Sequence, residues 1–413
     1  MKKFSSEKQK NKNILQHPKP QSNISSTFKE GQKYSLKELV NKIKVGFVGS
    51  CNKYYCDSKN GIPMIRTTNL TNSGVNLENI KYVTEDFFNK NPKSQLHKGD
   101  ILIARHGNNG LASIWTHNFK AQCLNVVIIE PNEEIMNNYY LYYMFNSAMV
   151  QRQIKAKVGG SVQGVVNTKD ISEILIPYYK LDHQKKVSNI LLTMDTKITL
   201  MEQKQGKLVK FKSYLLNKIF KSNLSDDWMV KKLSDIAIIG KGFTPSTHNP
   251  DFWNGEYSWL SIADMSENDK SKYIIDSKKT ITKEGTKNKD IIKKGTLIMS
   301  FKLSVGKLSI LKKDMYTNEA ICNFTWKNED ISTEYMYYYL SSINIMKYGA
   351  QAVKGVTLNN DSLNSIPVKL PSFKVQEKIA SFLSYVDKKI ELLNNQIDLM
   401  KTYKRGLLQK MFI

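Results

Sequence analysis

Cysteine is scarce in this 413-residue sequence, and no apolar run is long enough to cross a membrane. The four cysteines are Cys51, Cys56, Cys123 and Cys322. The first two lack a second close cysteine pair or a histidine pair at ligand spacing, which argues against a structural zinc site. The basic N-terminus has no apolar stretch of the kind that a signal peptide needs. We therefore expect free thiols in a reducing cytoplasm and no bound metal.

Catalytic motifs are also missing. Gly306-Lys307 has no upstream glycine at the spacing of a phosphate-binding loop. The segment at 249–252, Asn-Pro-Asp-Phe, lacks the second proline of the Asn-Pro-Pro-Tyr/Phe run used by adenine methyltransferases. His97, His106 and His117 are scattered without ligand spacing. The sequence therefore predicts neither a catalytic residue nor a metal ligand.

Arginine is rare, although positive charge is in excess. Lys and Arg number 62 against 37 Asp and Glu, which gives a net charge of +25. The arginines are Arg66, Arg105, Arg152 and Arg405. Such an excess favours a polyanionic partner, and nucleic acid above others. The alternative is a basic soluble protein whose lysines reflect an AT-rich genome.

The main positive feature of the sequence is an internal repeat of about 190 residues. KFKSYLLNKIF at 210–220 resembles TYKRGLLQKMF at 402–412, an offset of 192. At the same offset Gln184 matches Gln376, and Asp195 matches Asp387.

Upstream, the copies match at an offset of 196. KGDILI at 98–103 falls on KGTLIM at 294–299, and Gly46-Phe47 falls on Gly242-Phe243. The tyrosine-rich segment 139–144 falls on 335–340. The copies differ most over 48–97 and 244–293, which indicates one scaffold serving two different targets.

Each copy ends in a predicted long helix with a heptad seam. The seam of the first copy contains Val187, Leu191, Met194, Ile198, Met201, Leu208 and Leu215. The seam of the second contains Ile379, Leu383, Val386, Ile390, Leu393, Ile397, Met400 and Leu407. Lys212 and Lys404 interrupt the two seams at equivalent places, where a polar residue commonly fixes register. The apolar stripe must pack either on the other copy's helix or on the helix's own globular domain.

The remainder of each copy mixes short strands and turns, which predicts an α+β fold. Residues 100–104 and 126–129 have the pattern of buried strands, with counterparts at 298–299 and 308–311. A tyrosine-rich helix follows in each copy. At helical spacing beside Leu and Met, its rings are expected in the core rather than stacked on bases.

This arrangement resembles the specificity subunits of type I restriction–modification enzymes. In each copy Ile-Pro leads through an apolar stretch to a glutamine: Ile176-Pro177 to Gln184, and Ile366-Pro367 to Gln376. Asp195, Asp387 and the KGDILI strand also fit the family. The resemblance covers about residues 31–413, nearly the whole chain.

The resemblance implies two globular mixed α/β target-recognition domains joined by two long helices. The helices would pair as an antiparallel coiled coil with an internal pseudo-two-fold repeat. The expected parts are a disordered basic tail at 1–30, a first domain at 31–178, a central spacer helix at 179–222, a second domain at 223–370 and a C-terminal spacer helix at 371–413. A seam of 33 residues from Val187 to Ile219 spans about 50 Å, enough to separate half-sites by one helical turn of DNA.

The resemblance further implies a non-catalytic cytoplasmic subunit of a DNA modification complex. Each domain would read one half of a bipartite gapped site in double-stranded DNA. The helices would dock two modification (methyltransferase) subunits, and restriction (motor) subunits would complete the complex. S-adenosylmethionine, ATP and Mg would be bound by those partners and not by this chain. A self-contained DNA-modifying enzyme such as a nuclease, or a coiled-coil adaptor, are the alternatives.

Base reading needs Arg, Asn, Gln, Ser or Thr on loops, whereas phosphate contacts need only lysine. In the first domain the predicted DNA-binding residues are Arg66, Thr67, Thr68, Asn69, Arg105, His106, Asn108 and Asn109. In the second they are Lys241, Thr244, Ser261, Lys302 and Ser304. Arg66 and Arg105 are predicted to bind guanine, with a surface salt bridge as the alternative. Because the second domain has no arginine, we expect the two domains to read different half-sites.

Two carboxylates, Asp100 and Asp264, could also lie near DNA. Asp100 has Thr296 as its counterpart in the second copy, which argues against a shared catalytic role.

Overall fold

The computed structural model describes residues 28–158, 164–221, 228–267, 271–302, 304–352 and 355–412. The predicted basic tail at 1–30 thus lies almost wholly outside the described residues. The chain divides into two units: unit 1 comprises Met1–Leu200 with Ile397–Ile413, and unit 2 comprises Met201–Gln396. Both long helices are therefore shared between the units, whereas the sequence analysis separates them as segments of their own.

The elements of unit 1 are β1 (Lys33–Ser35), α1 (Leu36–Leu39), β2 (Val40–Val45), β3 (Tyr55–Cys56), β4 (Ile62–Arg66), β5 (Leu70–Thr71), β6 (Gly74–Val75), β7 (Lys81–Val83), α2 (Glu85–Lys90), β8 (Ile101–Ala104), β9 (Ala112–Ile114), β10 (Gln122–Leu124), β11 (Val126–Pro131), α3 (Asn138–Phe145), α4 (Ala148–Val158), α5 (Thr168–Ser172) and β12 (Leu175–Pro177). The first long helix, α6 (Leu181–Lys221), begins in this unit.

The central sheet of unit 1 has the strand order β2-β11-β8-β9 and is antiparallel throughout. Ile101 and Ile103 of β8 face one core, which includes α3 and the start of α6. Leu102 and Ala104 face the opposite core, beneath a second sheet of order β10-β4-β7-β3. Burial on both faces explains why β8 and β11 have continuous apolar runs instead of alternating ones.

The elements of unit 2 are β13 (Met229–Lys232), α7 (Leu233–Ile236), β14 (Ala237–Lys241), β15 (Trp253–Leu260), α8 (Ile262–Glu267), β16 (Tyr273–Ile274), β17 (Lys279–Ile281), β18 (Leu297–Ser300), β19 (Leu308–Leu311), β20 (Tyr316–Thr317), β21 (Ile321–Trp326), α9 (Thr333–Ser342), β22 (Ala350–Ala352), β23 (Gly355–Thr357), α10 (Asn360–Asn364) and β24 (Pro367–Leu370). The second long helix, α11 (Phe373–Met411), begins here.

Unit 2 repeats the topology of unit 1. Its central sheet has the order β14-β21-β18-β19-β16, and a second sheet has the order β17-β15-β20. In both units the second sheet contains one parallel pair, β10 with β4 and β20 with β15. A short antiparallel ribbon, β1-β12 or β13-β24, precedes each long helix. Strands lie at all four predicted places, 100–104, 126–129, 298–299 and 308–311, within one residue at their starts. The predicted correspondence of 126–129 with 308–311 was wrong, because β11 and β21 occupy the same place in the two central sheets and β19 corresponds to β9.

The tyrosine-rich helices α3 and α9 correspond at an offset of 195, not the 196 predicted from the sequence. The side chains of Asn137 and Ser332 cap these helices, and each accepts a hydrogen bond from the backbone N–H three residues later. The buried amides of Gln184 and Gln376 accept from the backbone N–H groups of these same two caps, at 2.7 and 3.0 Å. The predicted offset was wrong because tyrosines at several neighbouring positions align almost equally well. Their rings lie in the core, as expected.

Each long helix begins on its own copy and ends on the other. In unit 1, Val187 and Leu191 of α6 join the core, and Phe412 at the end of α11 lies 5.2 Å from the Tyr140 ring. In unit 2, Phe220 at the end of α6 lies 5.7 Å from the Tyr335 ring. The start of each stripe therefore packs on the helix's own domain, as one alternative stated, and its end packs on the domain of the other copy, which neither alternative stated. The expected α+β fold with two repeated domains and long paired helices is confirmed.

Every predicted seam residue of α6 and α11 is buried or half-buried, while the lysines that flank them are mostly exposed. Leu191 and Leu383 have no exposed surface. In the part of the chain that the structure describes, no helix combines the length and apolarity needed to cross a membrane.

The two seam lysines bind aspartates of the opposite helix. In unit 1 Lys404 of α11 pairs with Asp195 of α6, which also accepts a 2.7 Å hydrogen bond from the Tyr143 hydroxyl. In unit 2 Lys212 of α6 pairs with Asp387 of α11 at 2.5 Å, and Asp387 accepts a 2.7 Å bond from Tyr338. The two helices therefore run antiparallel, because Asp195 in the first half of α6 pairs with Lys404 in the second half of α11. Burial, and then the bond to Asp195, raise the pKa of Tyr143, so its hydroxyl keeps its proton.

Replacing either Asp195 or Lys404 alone should lower the free energy of unfolding more than replacing both residues together. We expect Asp195→Leu or Lys404→Leu to lower the free energy of unfolding by about 2 kcal/mol, because the partner stays half-buried without a counter-charge. The double variant should recover most of that loss. Urea denaturation measures all three, with Lys197→Leu on the exposed face of α6 as the control. Additive effects of the two single changes would contradict a coupled pair.

Candidate nucleic-acid interface

Four loops of unit 1 meet beside the end of its central sheet. We name this the first loop corner and define it by Phe47, Arg66, Arg105 and Asn125. Arg66 lies opposite Leu124 in the parallel β4-β10 pair, and the backbone N–H of Asn125 donates to Phe47 at 2.8 Å. The Arg105 guanidinium donates to the side-chain oxygen of Asn125 at 2.7 Å. The fold thus brings together the two arginines that the sequence singled out, although 39 residues separate them.

The turn after Arg66 is held by Asn69. Its buried side chain accepts from the backbone N–H of Arg66 at 3.0 Å and donates to Asn76 at 3.2 Å. Asn69, predicted to bind DNA, therefore shapes the loop from inside. The Arg66 guanidinium donates one bond, at 3.3 Å, to the Asn79 carbonyl. Neither arginine of the corner makes the salt bridge that was the alternative, within the residues described.

Arg105 is fixed before any ligand binds. Its Nε donates to the Val166 carbonyl at 3.1 Å, and the Val166 N–H donates back to the Arg105 carbonyl at 3.2 Å. Two of its donor groups are thus occupied, which orients the guanidinium plane.

The other predicted residues of the first domain lie around this corner. Thr68, His106 and Asn108 are exposed, and Thr67 is half-buried. Asn109 is also half-buried and donates to the carbonyl of Gly164. The exposed members can reach a ligand, whereas Asn109 supports the loop.

Unit 2 has the same convergence of loops, which we name the second loop corner and define by Thr244, Ser261, Phe301 and Asn318. The Asn318 backbone N–H donates to Leu260 at 2.9 Å, beside Ser261. The Phe301 N–H donates to Ala320 at 3.0 Å. The Asn318 side chain donates to the Thr244 hydroxyl at 2.9 Å, and that hydroxyl also binds Glu319.

The predicted residues of the second domain divide into exposed and structural ones. Lys241, Lys302 and Ser304 are exposed, and both lysines lie within 6 Å of the Phe301 ring, at 5.3 and 5.7 Å. The Ser261 backbone N–H and hydroxyl both donate to the Asp264 carboxylate, and the Ser261 hydroxyl accepts from the Asp264 backbone N–H, which closes a turn. Asp264 is buried, so it is the counterpart of Asn69 and not a surface carboxylate.

Both corners depend on a glycine at the end of β2 or β14. A Cβ on Gly46 would lie 2.3 Å from the Cys123 sulfur, and one on Gly242 would lie 2.1 Å from the Thr317 carbonyl oxygen. Any other residue would push the Gly-Phe loop away from the sheet. This close approach explains why Gly-Phe recurs in the two copies.

Sequence reasoning missed Asn125, Asn318 and Glu319. Asn125 adopts a left-handed conformation, φ 57°, which asparagine tolerates better than most residues. Only an asparagine in an otherwise apolar stretch could have signalled it. Asn318 and Glu319 lie in the three-residue connection between β20 and β21, whereas Asn125 alone separates β10 from β11, so the repeat alignment did not expose them.

Asp100 lies away from the first loop corner, at the other end of β8. It is buried and accepts a 2.8 Å bond from the His97 backbone, and burial raises its pKa from 3.8 to about 6. Across the residues the structure describes, no group of three His, Cys, Asp or Glu side chains is placed to hold a metal.

These features define a class of protein. One backbone scaffold is built twice, and each copy presents a corner of basic and amide side chains. The corners differ in residue type: two arginines with Asn125 in unit 1, and lysines with Thr244, Asn318 and Glu319 in unit 2. The class is that of a repeat protein whose two copies share a scaffold and differ at one surface.

Comparison with known proteins assigns the family. The family model described as "Type I restriction modification DNA specificity domain" matches residues 28–210 and 225–401. This chain belongs to that family.

Individual relatives agree with this assignment. The type I restriction enzyme MjaIX specificity subunit of Methanocaldococcus jannaschii is 31% identical over 45% of this chain and 44% of its own length. The MjaVIII specificity subunit of the same organism is 22% identical over 76% and 78%. The type I restriction–modification S subunit from M. genitalium has the same fold, with a TM-score of 0.58 at 15% identity, over 92% of this chain and 96% of that one. The chain thus spans less than half of the first relative and over three quarters of the second.

Stability should depend on pH through Asp100. Because its pKa in the folded chain is raised to about 6, the stability it contributes is present below pH 4 and is lost as the pH rises through 6. We expect Asp100→Thr, which copies Thr296, to raise the melting temperature above that of the wild type at pH 8 but not at pH 4. The mirror variant Thr296→Asp should lower it at pH 8. Equal shifts at both pH values would contradict the role of the buried carboxyl.

Proposed function

We propose that this chain is the DNA-sequence-recognition subunit of a type I restriction–modification complex. Each unit would read one half of a bipartite gapped site in double-stranded DNA, through its loop corner. The observation that carries this proposal is the pair of corners with one backbone geometry and different side chains. Family membership supports it and does not favour the nuclease or the adaptor alternative.

The two corners have the chemistry of base reading and phosphate contact. A guanidinium with its plane fixed, as at Arg105, suits the paired acceptors of guanine in the major groove. Lys241 and Lys302, exposed on flexible stems, suit phosphates, which position a protein without reading sequence. Arg66, Thr67, Thr68, His106 and Asn108 are the further candidates in unit 1, with Ser304 in unit 2. Because the corners differ, the half-sites should differ.

The outer faces of the long helices fit two copies of one partner. Large apolar side chains are exposed at equivalent positions, 192 residues apart: Ile190 with Phe382 (46 and 47% exposed), Leu200 with Leu392 (60 and 48%) and Phe211 with Tyr403 (45 and 63%). Exposed apolar residues repeated in this way are typical of an interface. We assign these two surfaces to two modification (methyltransferase) subunits.

The chemistry of the complex would belong to its partners. S-adenosylmethionine would bind the modification subunits, and ATP with Mg the restriction (motor) subunits. All four cysteines of this chain are free thiols, which agrees with a place in the reducing cytoplasm, where the DNA is.

A map of methylated adenines tests the recognition role. With the gene intact, a split motif of two short half-sites at a fixed gap should be methylated, and deletion should abolish that methylation. A map that deletion leaves unchanged, in cells that express the partner subunits, would contradict the proposal.

Within the same map, Arg105→Ala should relax one half-site only. We expect discrimination at one guanine position to fall at least about tenfold, because a bidentate arginine contact is lost. Lys302→Ala is the matched change in unit 2, and its effects should not fall on the half-site that Arg105 reads. Relaxation of both half-sites by Arg105→Ala would refute the division of labour between the units.

The docking assignment predicts a change in subunit count. Tyr403→Lys and Phe211→Lys should each reduce the complex from two modification subunits to one, and the double variant should bind none, because a charge replaces an exposed apolar contact. Native mass spectrometry counts the subunits, with Gln203→Lys at an exposed polar position of α6 as the control. Two bound subunits in the double variant would exclude these surfaces.

A further inference from the structure

Lys272 is a largely buried lysine that joins the globular part of unit 2 to its long helix. Its side chain is 9% exposed, just before β16. The ammonium pairs with Glu334 of α9 and donates to the Ser384 hydroxyl of α11 at 2.8 Å and to the Tyr338 hydroxyl at 3.2 Å. It also lies 4.9 Å from the centre of the Tyr273 ring and 5.0 Å from that of Tyr338.

This cluster continues into the helix pair. Tyr338, which Lys272 contacts, donates to Asp387 of α11, and Asp387 pairs with Lys212 of α6. A second bond closes the cluster on the domain side, because the Tyr273 hydroxyl donates to Glu334 at 2.7 Å. One ammonium therefore connects β16, α9 and α11 to the crossed pair of the long helices.

Unit 1 has no such clamp among its described residues. The positions equivalent to Glu334 and Ser384 are Tyr139 and Leu192, which offer no carboxylate and no hydroxyl on α6. The nearest counterpart is a neutral bond, in which the Tyr142 hydroxyl donates to the Asn72 carbonyl. The two copies thus differ in how the domain is tied to its helix.

The contacts of the Lys272 ammonium favour a single position of the domain on α11. A buried ammonium is tolerated only with its counter-charge and hydrogen bonds in place, so a small displacement of the domain from α11 has a steep cost. The Lys272 carbonyl accepts a 2.9 Å bond from the backbone N–H of Ile310 in β19, which pairs with β18, and β18 leads into Phe301 of the second loop corner. Lys272 therefore sets where that corner stands along α11, without reaching DNA itself.

We propose that Lys272 is a positioning residue that fixes the second recognition domain on the spacer helix, and so limits which gap lengths between the half-sites are accepted. This inference rests on the proposed function and adds to it a determinant of gap selectivity in the domain rather than in the helix seam.

The test uses the assembled methyltransferase complex with DNA duplexes that carry the natural gap or a gap one base pair longer or shorter. For Lys272→Met we expect the ratio of methylation at the altered gaps to that at the natural gap to rise about tenfold, the size of coupling found within one ionic network. Ser384→Ala, a milder change, should move the ratio in the same direction. Lys312→Met is the matched control, since Lys312 lies 3.9 Å from the Tyr273 ring but is exposed.

The outcomes separate this proposal from the function on which it rests. If Lys272→Met and Ser384→Ala fold, methylate the natural site and keep the wild-type ratio, Lys272 does not position the domain and the proposed function stands. If Lys312→Met raises the ratio as much, the effect is general loss of charge and the proposal fails. If the wild-type complex has no gap preference, the proposed function and this inference fail together.

Discussion

The crossed ion pairs of the long helices are the constraint on which the rest of the structure depends. Asp195 and Asp387 lie in the first halves of the two helices, Lys212 and Lys404 lie in their second halves, and each of these lysines binds the aspartate of the other helix. A half-buried lysine on an apolar seam has few acceptable positions, so the pairs define an antiparallel register. Tyr143 and Tyr338 tie the same aspartates to their domains. Helix register and domain position are thus fixed by one set of contacts.

That constraint allows the loop corners to diverge. The corners are held by backbone hydrogen bonds, by the close approach of Gly46 and Gly242 and by the buried caps Asn69 and Asp264. None of these contacts depends on the exposed side chains. Arginine can therefore be replaced by lysine or threonine at the surface without disturbing the scaffold.

The buried polar groups of the two copies have diverged as well. In unit 1 Asp100 is buried near the Lys44–Glu130 pair, whereas the equivalent residues of unit 2 are Thr296, Gly240 and Thr325. Unit 2 instead holds the largely buried Lys272 between its domain and α11. The two copies thus share a topology but differ in the charged groups that they take out of water.

The sequence by itself determined the repeat, the strands of the central sheets, the seams and the family, because these are written in local periodicity and in residues close together along the chain. It also singled out Arg66 and Arg105, since rare residues on loops stand out. Only the tertiary structure decided that Lys404 binds Asp195, that Asn125 meets Arg105, that Asn69 is internal and that Lys272 is largely buried. Those contacts join residues between 20 and 209 positions apart, or depend on which way a side chain turns. A pattern along the chain shows neither which distant residues meet nor which way a side chain turns, because packing of the folded chain decides both.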